Sequence, residues 1–170
     1  MAHYRRFDYR VESLNQIIIG LNTSIKSLQK KMEEENWYDG IWFLEEAEPV
    51  YGLAFIAFQN YIIGSIKDFS TNTNNKVNYY KKEPNLIGFE RSSIELIIGL
   101  ANYFKHKDDK VLHDHTRLIL ESFNLKYDNE TFIDETPIFM GLAILNDKWN
   151  LFDVFKIVIN WRENLWNEES

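Results

Sequence analysis

Residues 4–32 read YRRFDYRVESLNQIIIGLNTSIKSLQKKM, and this stretch decides the fold class. Tyr4, Phe7, Val11, Leu14, Ile18, Leu21, Ile25, Leu28 and Met32 follow one another at spacings of three and four. That is the period of an apolar seam on an α-helix, with Asn15, Asn22, Lys26, Gln29 and Lys30 on the other faces. A helix over the whole stretch would be about 43 Å long at 1.5 Å per residue. Ile17, Ile19 and Gly20 widen the seam, which favours a helix in a bundle over a strand of a coiled coil.

The same spacing recurs downstream. Tyr51, Phe55, Phe58, Ile62, Ile66 and Phe69 predict a second helix from about Ile41 to Lys67, kinked at Pro49 or beginning there. Gly52 and Gly64 allow a neighbour to approach it closely. Residues 68–84 are polar, rich in Asn and aperiodic, and read as a long loop. A third helix is expected from about Phe89 to His106, with Ser92 and Glu95 spaced as a capping box. Shorter helices follow over Asp114–Phe123, with Leu118, Ile119, Leu120 and Phe123 inward, and over Pro137–Leu145. The intervening residues 124–136 read as loop, and Asn150 caps a last helix running to about Trp166. No sustained period-two alternation occurs, so the expected fold is an all-α bundle of five or six helices in a single domain over residues 1–170. The first two helices should form an antiparallel hairpin across residues 33–40.

Composition narrows the function classes. The chain has 170 residues, 45% of them apolar and 15% aromatic, enough to bury a core. Cysteine is absent, which removes disulfides and thiolate metal sites. Neither a signal peptide nor an unbroken membrane-spanning run is evident, so the cytoplasm is the expected compartment. The net charge is −7, and residues 33–48 alone carry Glu33, Glu34, Glu35, Asp39, Glu45, Glu46 and Glu48 with no Lys or Arg. Such a field opposes non-specific nucleic-acid binding, which needs clustered cations. Glu45, Glu46 and Glu48 suit the first turn of a helix preceding Pro49, and position 48 falls on the inward seam.

Three segments carry candidate chemistry. His106, His113 and His115 lie among Asp108, Asp109 and Asp114, a mixture that suits zinc, iron or manganese. Lys105, Lys107 and Lys110 would repel a cation there, so a solvated connection is the simpler reading and no metal or cofactor is expected. Lys76, Tyr79, Tyr80, Lys81 and Lys82 mix cations with rings, as single-strand nucleic-acid binders do, although a surface loop explains them as well. In the third segment Asn102, Lys105 and His106 end a helix. Asn102 and His106, four apart, share a face from which Lys105 is expected to be displaced. A histidine there can serve as general acid or base, or cap the helix.

The run Asn102-Tyr103-Phe104-Lys105-His106 near a helix end resembles the motif region of the HEPN (higher eukaryote and prokaryote nucleotide-binding) superfamily. The resemblance covers about six residues and the helical topology. It implies a helical bundle of the kind found in toxin–antitoxin and phage-defence systems. Many members are metal-independent ribonucleases, and others are binding partners that have lost the chemistry. By resemblance, Asn102 and His106 occupy the motif's polar and histidine positions. Ala101 stands where the family's arginine is expected, and Arg91 lies too far upstream to replace it. Loss of that fixed cation implies weakened or absent RNA cleavage, since nothing beside His106 would stabilise a pentavalent phosphate. The expectation is therefore a non-catalytic interaction domain, working as a homodimer or with another protein. A ribonuclease using His106 with Asn102, and a substitute cation from Lys105 or a second subunit, is the alternative, and a metal-binding protein a weaker one. The long first seam and the aromatic Trp161, Leu165 and Trp166 are the expected dimer surface.

Overall fold

The computed structural model describes residues 6–70, 74–109, 111–127 and 131–167. Among them are seven α-helices: α1 (Val11–Glu34), α2 (Gly40–Phe69), α3 (Lys76–Tyr80), α4 (Ser93–His106), α5 (Asp114–Ser122), α6 (Pro137–Leu145) and α7 (Leu151–Asn167). No strand forms among the described residues, and the architecture is an all-α bundle. α2 and α4 form its centre. α1 packs on α2 as the expected hairpin, α5 and α6 lie against α4, and α7 closes the bundle over α2 and α1.

α1 begins later than the seam suggests. Tyr4 lies outside the described residues, and Phe7 sits before the helix with 76% of its surface exposed. Asp8 ends the extension instead: its carboxylate accepts from the backbone N–H groups of Arg10 and Val11 at 3.1 and 3.2 Å. The buried seam is also narrower than expected. Leu14, Ile18 and Ile25 are buried, whereas Ile17 and Ile19 point outward and nothing lies within 4 Å of a side chain built at Gly20.

α2 runs unbroken through Pro49, so the helix does not begin there. Its start is Asp39, whose Oδ1 accepts from Ile41 N at 2.9 Å and Trp42 N at 3.2 Å. Glu45, Glu46 and Glu48 consequently lie a turn or more inside the helix, not in its first turn. Glu48 is inward, as the seam indicates, and Glu46 accepts from the Tyr38 hydroxyl at 2.6 Å beside Lys31 of α1. Proline lacks the N–H that would bond the carbonyl one turn back, a loss of about 3 kcal/mol in an isolated helix. Burial on both sides of it offsets that: Phe43, Ala47, Tyr51, Phe55 and Phe58 all enter the core, each ring contributing about 1.5–3 kcal/mol. α2 is long and apolar enough to cross a membrane on composition alone, but 56% of its most apolar window is buried against the rest of the bundle. That disposition is the one a core helix has.

Gly52 and Gly64 permit close approach. A side chain at Gly52 would collide with the Phe104 ring of α4, and one at Gly64 would stand 2.9 Å from the Arg10 guanidinium. The capping box forms as read, with Ser92 Oγ accepting from Glu95 N at 3.2 Å and Glu95 Oε2 from Ser92 N at 3.1 Å. It starts α4 at Ser93, several residues after Phe89. Asn150 Oδ1 caps the last helix by accepting from Phe152 N at 2.9 Å.

Three further expectations are corrected. The supposed loop 68–84 contains the short helix α3, while residues 71–73 lie outside the description. Leu118 faces outward from α5, because Thr116, Ile119 and Leu120 take the inward stripe. Trp161, Leu165 and Trp166 are not surplus to the core but part of it, with Trp166 edge-on to Phe69 at 5.1 Å between ring centroids. Within 124–136, residues 128–130 lie outside the description and Ile133–Glu135 forms one 3-10 turn.

Candidate functional site

A single buried amide organises the polar chemistry of the bundle. Of the two amides between Phe58 and Ile62 of α2, Asn60 is exposed and Gln59 is buried, facing α4. Lys105 Nζ donates to its Oε1 at 2.6 Å, and its Nε2 donates to Asn102 Oδ1 at 2.8 Å. Lysine only donates, so Lys105 fixes which end of the Gln59 amide is oxygen. Gln59 in turn fixes Asn102, whose NH2 group donates to no partner among the described residues.

Asn102 and Lys105 thus act together, against the expectation that Lys105 leaves the face of Asn102. Positions three apart on a helix are neighbours, as positions four apart are. They line a cleft of about 230 Å³ that also takes in Lys76 and Tyr80 of α3 and His115 of α5. Burial lowers the pKa of Lys105, and the nearby Lys76 ammonium lowers it further.

His106 lies outside this cleft. It is the last residue of α4, and its Nδ1 donates to Asp109 Oδ2 at 2.8 Å. Its ring stands edge-on to His113, 5.3 Å between centroids. The lysines beside it in sequence both turn to α2: Lys105 to Gln59, and Lys107 to Glu48 Oε2 at 2.6 Å. Ala101 is fully buried, so an arginine there would have no room. Arg91 is at the other end of α4, paired with Glu95 at 2.9 Å.

The mixed cation–aromatic segment divides. Lys76, Lys81 and Lys82 are exposed, and Tyr79 is half-buried, edge-on to Phe69 at 5.7 Å. Tyr80 is 2% exposed; its carbonyl accepts from Ser92 Oγ at 2.8 Å, and burial pushes its hydroxyl up to about 12. Its ring is a wall of the bundle, not an open stacking platform. The three histidines also separate, with His115 on the cleft and the other two paired away from it. Among the described residues, no three His, Asp or Glu side chains gather to hold a metal ion, and Lys110 lies outside them.

Sequence reasoning missed Gln59. The signal was present, since a lone amide in the apolar seam of a core helix must find partners when buried. Its partner Asn102 is 43 residues away in the chain, which spacing alone does not reveal. No known family pattern, curated protein or solved structure matches this chain.

Proposed function

We propose that this chain is a non-catalytic helical interaction domain that works as a symmetric homodimer, a degenerate counterpart of HEPN domains in the cytoplasm. The observation that carries the reading is an outward apolar stripe on the α1–α2 hairpin. Ile17 is 49% and Leu53 51% exposed, and they flank a groove of about 450 Å³ walled by Leu21, Ile56 and Ile63. Knobs and groove on one surface are self-complementary, which is what a two-fold interface requires. Antiparallel pairing of two hairpins sinks Ile17 and Leu53 of each copy into the other's groove. It also keeps the two acidic turns, rich in glutamates from Glu33 to Glu46, at opposite ends.

The second reading, a ribonuclease using His106, draws support from Asp109. A carboxylate holding Nδ1–H leaves Nε2 free to accept a proton, as a general base must. Against it, both neighbouring lysines are committed to α2, so no fixed cation stands beside that nitrogen. Incubating purified protein with single-stranded RNA, with and without divalent metal, separates the two. Intact RNA is expected. Cleavage that disappears in His106→Ala establishes the ribonuclease instead, and metal-dependent cleavage that survives it points to His113 and His115.

A further inference from the structure

The cleft between α2, α3, α4 and α5 has a composition at odds with the rest of the molecule. Acids outnumber bases 26 to 19 in the chain, yet among the described residues no carboxylate lines this cleft, whereas two lysines do. Lys105 is held in place by Gln59, and Lys76 has no ion-pair or hydrogen-bond partner among the described residues. Like charges in a partly desolvated cleft repel, and no carboxylate among the described residues pairs with either lysine. Asn102 adds an amide NH2 that donates to no partner among the described residues, fixed in direction by the Lys105–Gln59–Asn102 chain. Ile63, Val77, Ile98 and the Tyr80 ring supply apolar walls.

We propose that this cleft binds the phosphate group of a small phosphate monoester, on Lys76, Lys105 and the Asn102 amide. A monoester carries close to two negative charges near neutral pH and three strong acceptor oxygens. Those charges balance the two ammonium groups, and the oxygens match two cationic donors and one amide. A carboxylate offers one charge and leaves one lysine uncompensated. The cleft is smaller than the pockets that enclose drug-sized ligands, so the organic part is compact and lies on the Ile63, Val77 and Ile98 walls. Gln59, Ile63 and Lys105 line both this cleft and the groove between α1 and α2, so binding is measured on the Ile17→Lys, Leu53→Lys variant as well as on the unaltered chain.

Isothermal titration at constant ionic strength tests this with inorganic phosphate, adenosine 5′-monophosphate and uncharged adenosine. Phosphate and the monophosphate should bind saturably and adenosine should not; tighter binding of the monophosphate than of phosphate identifies the apolar walls as part of the site. Lys76→Ala, at an exposed position that leaves the fold intact, should weaken both about tenfold, and Lys105→Gln likewise. Lys81→Ala, an exposed lysine outside the cleft, should change nothing. Absence of saturable binding up to about 10 mM overturns the proposal. Equal losses in Lys76→Ala and Lys81→Ala overturn it too, since they mean diffuse charge attraction. Binding of a single-stranded oligonucleotide without binding of the monophosphate overturns it in favour of a nucleic-acid surface.

Discussion

Lys107 Nζ stands 2.6 Å from Glu48 Oε2, fastening the end of α4 to the middle of α2 where the carboxylate is almost wholly out of water. Removing one partner of such a pair strands the other charge, whereas removing both does not. Lys107→Met should therefore cost about 1–3 kcal/mol in urea unfolding, less than the loss from a fully buried pair because Lys107 is partly exposed. The double variant Glu48→Leu, Lys107→Met should recover most of that loss. Additive losses in the double variant would show that the two residues do not act as a pair.

Gly52 gives a test in which two effects have opposite signs. Alanine is favoured over glycine in a helix interior by about 1 kcal/mol. Yet a methyl group at position 52 meets the Phe104 ring, and overpacking costs about 1–3 kcal/mol. Gly52→Ala should lower stability by about 1 kcal/mol in the same measurement. A stabilised variant would mean that Phe104 swings aside freely and that the α2–α4 contact is loose.

Buried tyrosines set an alkaline limit. Burial raises Tyr51, Tyr80 and Tyr103 to about 12, and raises Tyr61 further with help from its hydrogen bond to Asp8. The unfolded chain ionises its tyrosines near pH 10. Below that pH the two states hold the same tyrosine protons and this contribution to stability is fully present. Between about 10 and 12 the unfolded state loses protons that the folded state keeps, so stability falls as pH rises. Each such group contributes about 1.4 kcal/mol per pH unit to that fall. Spectrophotometric titration should show only part of the nine tyrosines ionising near pH 10, the rest following with unfolding. A single transition of all nine near 10 with the fold intact would contradict the burial.

The helices were legible because three-four spacing survives wherever a helix has three or more turns. Ser92 with Glu95, Asn150 and the inward Glu48 were legible for a similar reason, being local or on a periodic face. α3 was not, since five residues are too few to display a period. Nor was Asp39, a cap ten positions before the proline that drew attention to itself. The candidate site was legible only in pieces. Asn102 and Lys105 were found on one helix and Lys76 and Tyr80 on another segment, but their meeting at Gln59 depends on how α2, α3 and α4 cross.

Pairing of two copies of the chain through the α1–α2 face is read from the mass in solution. Light scattering at tens of micromolar should give twice the 20.3 kDa chain mass. Ile17→Lys together with Leu53→Lys changes two exposed side chains that the core does not use, so it should return the monomer mass with the helical circular dichroism unchanged. A monomer mass for the unaltered chain, or a dimer that survives both lysines, would contradict the account.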